Sequence, residues 1–377
     1  MTTVLIAPDK FKGSLTAAEV AESLSNGLVR AGMKVLTLPL ADGGDGSVAA
    51  ALASGFSAHD VQVQGATGRP HSATIAVDGD TAIVEIANAC GLGTLPEGRL
   101  EPMKSSSFGL GQAIRYALDL GVGRIVLGLG GSASSDAGIG MLSALGFEFY
   151  RQDGRQVAAT TENLSTIYRV TSGSAADSLA AVQFIVAGDV TNPLIGHGGA
   201  AAVYGPQKGA SLADIDALEL GYDNLTRALI DSGWADAESL AVSTGAGAAG
   251  GCGFAAALLG ARQVSGADFF LDLFDFEKHC EDADLVITGE GRLDTQTLSG
   301  KLPAVVATRA APKPVVAVVG RNSLGERSSP FTGIFAASDF SFVETTHNSC
   351  ATRQALESIG AEVGKRFSFV DVMRPSC

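Results

Sequence analysis

The sequence predicts a two-domain α/β chain: a doubly wound parallel sheet built from both chain ends, with a second α/β domain inserted between them. Three observations lead there. Strand-like and helix-like patterns alternate over residues 4–54 and again after residue 273. A hairpin pattern interrupts that rhythm in the middle, and 377 residues are too many for one ordinary core.

Residues 4–7 form a short apolar run that reads as a buried strand. Thr16-Ala-Ala-Glu19 matches a capping box, after which Val20, Leu24 and Leu28 recur at helical spacing and Gly32 stands at a C′ position. Residues 34–40 predict the next strand and 44–54 the next helix. Two strand–helix units in succession place the ligand side at the carboxyl edge of a flavodoxin- or Rossmann-like sheet. Residues 72–77 and 81–86, separated by Asp78-Gly79-Asp80, predict a hairpin. A helix over 108–120, a strand over 124–129, a strand over 183–187 and a helix over 214–231 follow. The simple pattern returns with a helix over 273–283 and strands over 285–288, 315–319 and 333–337. The expected division is therefore 1–66 with 268–377 as the discontinuous domain, and 67–267 as the insert.

Composition excludes several classes. Hydrophobic residues make up 46% and charged residues 18%, which rules out a disordered chain. A formal charge of −14 argues against nucleic acid and anionic membrane as partners, since both need a basic face. Small anionic ligands remain compatible, because a few local cations and N–H groups suffice. The five cysteines (Cys90, Cys252, Cys280, Cys350, Cys377) form no CxxC pair, and the five histidines show no ligand spacing. A reduced, cytoplasmic protein without structural zinc is the expectation. The N-terminal residues lack the basic start and apolar length of a signal peptide.

The residues that could carry chemistry cluster after predicted strands. Asp9, Lys10, Lys12 and Ser14 follow the first strand and precede a helix, where phosphate or carboxylate is readily held; a solvated turn is the plain alternative. Asp42-Gly43-Gly44-Asp45 occupies the equivalent place after the second strand, with an Asp helix cap as its competitor. Gly130, Gly131, Ser132 and Asp136 lie in a small-residue loop suited to a backbone phosphate cradle, and Gly247 and Gly250 belong to a loop of like character. Asp189 follows the next strand as either a base for a hydroxyl proton or a metal ligand. Asn192 beside it could fix orientation or make a turn before Pro193, and Lys208 offers a cation in a tight loop. Glu290, Arg292, Asp294 and Lys301 form the densest charged stretch. Phosphoryl transfer requires that mixture: carboxylates for Mg²⁺ and cations for the transferring group. No G-x-x-x-x-G-K-[ST] occurs, which excludes a P-loop enzyme.

The segments APDKFKGSLTA, PLADGGDGS, GATGRP, LGLGGSASSDAGIGML, DVTNPLIGHGGAAAVYGPQKGA, GAGAAGGCGF and ITGEGRLDTQTLSGK, in this order, resemble the bacterial glycerate kinase family of type 1. Lys10 stands where many members have Ser, and SASSDAG replaces the more usual SATNDGG. The resemblance implies ATP and Mg²⁺, D-glycerate as substrate, 2-phosphoglycerate rather than 3-phosphoglycerate as product, and in-line transfer in an interdomain cleft; it leaves a homodimer open. On that basis Asp189, Lys12, Arg292 and Lys301 are the expected catalytic residues. Asp42, Glu290 and Asp294 are the expected Mg²⁺ ligands, and Asp9, Lys10, Ser14, Asp42, Gly43, Gly44, Gly130, Gly131, Ser132, Asp136, Asn192, Lys208, Gly247 and Gly250 are expected to bind substrate or nucleotide. Two rival readings are an NAD(P)-dependent hydroxy-acid oxidoreductase, resting on two G-x-G-x-x-G/A matches with Glu148 about twenty residues past the first, and a non-catalytic organic-acid-binding protein.

Overall fold

The first strand, β1 (Thr3–Ile6), is buried along its whole length, as its apolar run predicts. The computed structural model describes residues 1–96, 99–173, 179–324, 329–341 and 343–368. After β1 come β2 (Lys34–Thr37), β3 (Ser57–Gln64), β4 (Pro70–Asp78), β5 (Thr81–Glu85) and β6 (Arg124–Gly128). Next are β7 (Glu148–Tyr150), β8 (Gln156–Val157), β9 (Arg169–Thr171), β10 (Gln183–Ala187) and β11 (Arg262–Val264), and then β12 (Leu285–Leu293), β13 (Val315–Asn322) and β14 (Gly333–Ala336). Two units result. Unit 1 comprises Met1–Asp42, Ala49–Gly55 and Gly266–Cys377, and unit 2 comprises Gly43–Val48 and Phe56–Ser265.

Unit 1 is a five-stranded sheet in the order β14-β13-β12-β1-β2, parallel throughout. Counted within the unit, the order is 2-1-3-4-5, and chain direction switches between β1 and β12. Val4, Ile6, Leu285, Ile287, Val316 and Val318 share one core with Val20, Leu24 and Leu28 of the Ala17–Arg30 helix and Leu356, Ile359 and Val363 of the Ser349–Phe367 helix. Leu5, Val286, Ala317 and Val319, which alternate with them, are also buried, as a sheet covered on both faces requires. Thr16 and Glu19 make the predicted capping box, a motif worth roughly 1 kcal/mol. The two long helices pack at glycines: a Cβ on Gly27 would stand 2.1 Å from the Glu357 carbonyl oxygen, and one on Gly360 2.4 Å from that of Leu24.

Unit 2 carries a six-stranded sheet in the order β11-β10-β6-β5-β4-β3. β5, β6, β10 and β11 are parallel, while β4 pairs antiparallel with both β3 and β5. The carboxyl ends of the four parallel strands therefore share one edge. β7 joins β8 and β9 in a small antiparallel sheet. The hairpin from β4 to β5 is the predicted one.

Several elements differ from the sequence reading. Residues 57–64, expected in the discontinuous domain, form β3 and pair with β4 from Ser57–Val77 to Gln64–Pro70. The helix expected over 273–283 is two, Gly266–Leu273 and Phe276–Glu281, because Asp275 adopts a left-handed φ of 52°. β2 stops at Thr37, whereas β12 and β13 run past their expected ends at 288 and 319. Cys90, Cys252, Cys280 and Cys350 are free thiols; Cys377 lies outside the described residues. No described helix is long and apolar enough to cross a membrane.

Candidate functional site

In unit 1 the chain leaving β1 stays pinned on both sides. Ala7 and Asp9 N–H donate to the carbonyls of Ile287 (2.7 Å) and Gly289 (2.9 Å), and Leu38 and Leu40 N–H donate to Ile6 (2.8 Å) and Pro8 (2.9 Å). That fixes Asp9 at the switch point, near enough to Asp42 and Glu290 to feel both charges. Burial first, and then Asp42, push the Asp9 carboxyl up to about 8, against the pull of Lys10. Glu290 is buried and is pushed up to about 7, although Thr297 Oγ1 donates to its Oε1 and Lys301 attracts it; Asp294 and Asp42 add to the rise. Carboxyls held this far above their ordinary range in a strand-end cluster mark a functional candidate.

The other predicted residues of this unit are placed as follows. Phe11 and Leu15 bridge across a tight turn, which carries exposed Lys12 and uses the Ser14 hydroxyl to donate to Phe11 O at 3.2 Å. Glu290 and Arg292 lie within β12 and not in a loop after it, so alternation puts them on one face. Arg292 Nε donates to Ser323 Oγ at 3.3 Å. Asp294 Oδ1 accepts from the Gln296 N–H (2.9 Å) and caps the turn at Thr297–Ser299. Among the described residues no three His, Cys, Asp or Glu stand together as a ready-made metal cage. The donor chemistry, hard carboxylate oxygens in a crowded acidic cluster, nevertheless fits Mg²⁺, which usually takes only one or two carboxylates and keeps several waters.

Unit 2 assembles a different cluster. Gly43, at φ +83°, lies so close to the end of β10 that a Cβ there would stand 2.2 Å from Ala187 O. Gly44 packs on Gly130, whose Cβ would fall 2.7 Å from the Gly44 Cα, and exposed Gly131 follows. Glu85, which the sequence reading passed over as part of a hairpin, is buried at the end of β5. Its Oε1 accepts from Gly46 N–H (2.9 Å) and its Oε2 from Val48 N–H (3.1 Å). Asp189 lies two residues past the end of β10 and is exposed.

Of three residues expected to contact a ligand, Asp136 and Lys208 turn inward and half-buried Asn192 bonds within its own loop. Asp136 is fully buried; its Oδ2 accepts from Ser107 N–H (2.7 Å), Ser107 Oγ (2.9 Å), Ser106 Oγ (3.3 Å) and Gly140 N–H (3.3 Å), and its Oδ1 from Gly138 N–H (3.1 Å). Burial raises its pKa while the Ser107 bonds oppose the rise. Asn192 ties its own loop, donating to Gly198 O (2.8 Å) and accepting from Tyr204 OH (2.7 Å). Lys208 is 3% exposed; its Nζ donates to Ser132 Oγ (2.9 Å) and Ser134 O (2.5 Å). Burial lowers it to about 8, and Cys252, Asp136 and Cys90 partly offset that. Gly247 and Gly250 are spent on packing, because a Cβ on either would come within 2.3 Å of Pro193 O or 2.2 Å of Ser134 O.

The model of the glycerate kinase family matches residues 4–367. A glycerate kinase of Halalkalibacterium halodurans is 38% identical over 86% of this chain and 87% of its own. The glycerate 2-kinase of Escherichia coli is 38% identical over 84% of each. A crystal structure assigned to glycerate kinase 2 of Salmonella typhimurium LT2 superposes with a TM-score of 0.85 at 34% identity, covering 99% of this chain and 100% of that one.

Proposed function

Given that the chain belongs to the glycerate kinase family, we propose that it transfers the γ-phosphoryl group of ATP to D-glycerate, forming 2-phosphoglycerate. The observation that carries this reading is the convergence of Asp9, Asp42 and Glu290 at the switch point of unit 1, with Lys10 and Lys301 beside them. Asp42 and Glu290 push Asp9 up, and Asp42 pushes Glu290 up; such crowding favours a cation among them, and phosphoryl transfer is catalysed by such positioning and charge compensation. One or two of Asp42, Glu290 and Asp294 would hold Mg²⁺. When bound, that ion offsets charge on the phosphate oxygens.

The chain's own groups supply the rest. Lys12, Arg292 and Lys301 are the cations for the substrate carboxylate or for charge developing on the transferring group. Asp189 is the residue assigned to orient or accept the hydroxyl proton. It follows a parallel strand and is exposed, as a group that meets substrate must be. The four free thiols agree with a cytoplasmic setting. The oxidoreductase reading loses its footing in the geometry. Gly247 and Gly250 abut carbonyls of this chain, and Glu148 sits in β7 accepting from Tyr150 OH at 2.6 Å.

Phosphorus NMR of a mixture of protein, D-glycerate, ATP and Mg²⁺ tests the proposal. A Mg²⁺-dependent 2-phosphoglycerate signal with matching ADP release is expected; ATP left intact would refute it, and a 3-phosphoglycerate shift would correct the product. Asp189→Asn should lower turnover by roughly 100-fold or more if Asp189 handles the proton. Near-normal turnover would move that role elsewhere.

A further inference from the structure

Past the end of a strand the backbone loses its ladder partners, and whatever replaces them decides how firmly the next residues are held. After β10 the ladder runs one residue further: Gly188 N–H donates to Val264 O of the edge strand β11 at 3.1 Å. Half-buried Gln263, the residue before Val264 on β11, then takes over with its side chain. Its Nε2 donates to Val190 O at 2.8 Å and, more weakly, to Gly188 O at 3.4 Å. A primary amide carries two hydrogens on that nitrogen, one for each carbonyl. Gly188 and Val190 are the chain neighbours of Asp189 on either side, and Asp189 itself is exposed.

The glycine-rich loop around Gly247, expected to cradle a phosphate, makes room for this arrangement. Gly245 is buried at a φ of +82°, and a Cβ there would stand 1.8 Å from Gln263 Oε1 and 2.5 Å from its Nε2. A larger residue would push the amide away from its two carbonyls. Gly247 N–H donates to Asn192 O at 2.9 Å, three residues beyond Asp189. The stretch from Gly188 to Asn192 is thus tied at Gly188, Val190 and Asn192 by groups of its own unit, and its one charged side chain is exposed.

We infer that Gln263 is a positioning residue for Asp189, and that Gly245 is a glycine so that the Gln263 amide can span Gly188 and Val190. This rests on the kinase reading, in which Asp189 handles the hydroxyl proton of glycerate. Gln263 acts through the backbone and not on the substrate. By holding the chain on both sides of Asp189 it presents the carboxylate in one place, without a search over loop conformations. A reacting group misplaced by about 1 Å loses as much as 100-fold in rate.

Steady-state transfer with D-glycerate, ATP and Mg²⁺ provides the test. Gln263→Met keeps the reach of the side chain and removes both N–H groups. Its kcat should fall about 10-fold, with the KM for ATP and the melting temperature close to wild type. In an Asp189→Asn background the same change should have no further effect, because a residue that acts through Asp189 has nothing left to position. A normal kcat in Gln263→Met, or an equal loss in both backgrounds, would overturn the inference. Gly245→Ala displaces the amide without altering it and should reproduce the kcat loss; a normal kcat there would overturn the inference too. Hydrogen exchange over residues 188–194, read by mass spectrometry, needs no turnover. Exchange roughly 5-fold faster or more is expected in Gln263→Met, and unchanged exchange would count against the clamp and overturn it. Faster exchange in a protein that makes no phosphoglycerate would refute the kinase reading alone, whereas normal transfer by Gln263→Met would refute only the inference.

Discussion

At the strand ends of unit 1, carboxylates crowd together with lysines beside them; in unit 2, one lysine is sealed beneath uncharged glycines and serines. Asp9 and Glu290 are driven upward by burial and by neighbouring carboxylates, and Lys208 is driven downward by burial alone. Each cluster holds its groups away from their preferred protonation state. They differ in their surroundings: like-charged carboxylates and nearby lysines in unit 1, and a hydroxyl and a carbonyl in unit 2. The comparison also separates carboxylates by role. Those of unit 1 repel one another, whereas Asp136 in unit 2 is saturated by hydrogen-bond donors.

That separation can be broken by experiment. Asp136→Ala should cost stability, about 3 kcal/mol or more, because it strands the N–H groups of Ser107, Gly138 and Gly140 in the interior. Urea denaturation would show it, and an unchanged midpoint would place Asp136 with the unit 1 carboxylates. Glu290→Gln should do the reverse, lowering turnover roughly 100-fold with the melting temperature unchanged or raised. A fall in both would mean that Glu290 is structural.

The smallest effect concerns pH. Asp9 and Glu290 have folded-state values above their ordinary 3.8 and 4.5, so the folded chain holds protons that the unfolded chain has already released. Their stabilising contribution is complete below those ordinary values and is lost as pH rises toward about 7 and about 8. Without Mg²⁺, the drop in melting temperature between about pH 5 and 8.5 should be smaller in Asp9→Asn than in the wild type. An equal drop would mean that Asp9 ionises normally.

Most of the framework was legible in the sequence, because capping, apolar runs and the hairpin are local signals. What failed was set by distant contacts. β12 reads as ending at 288 because Gly289 and Gly291 flank charged Glu290, a pattern typical of loops. Gly289 is there because β13 comes so close that a Cβ would stand 1.8 Å from Val318 O. β3 escaped notice because only Val61 and Val63 of its residues are buried. The members of the unit 1 cluster were found from their place after strands. The inward turn of Lys208 was not, since no local pattern distinguishes a lysine that crosses beneath a loop from one that reaches into solvent.

The glycine contact between the Ala17–Arg30 and Ser349–Phe367 helices bears on the order of biogenesis. On the ribosome, β1 emerges first but must wait for β12 to flank it, and Gly27 must wait for the helix carrying Gly360. The intervening unit is translated and free to fold meanwhile, so the apolar face of the first helix is left uncovered for most of synthesis. A bulky residue at Gly360 would leave the growing chain unaffected until its helix is made, and would then block that helix from docking. It would lengthen the interval in which a chaperone, and not the Ser349–Phe367 helix, must shield Val20, Leu24 and Leu28.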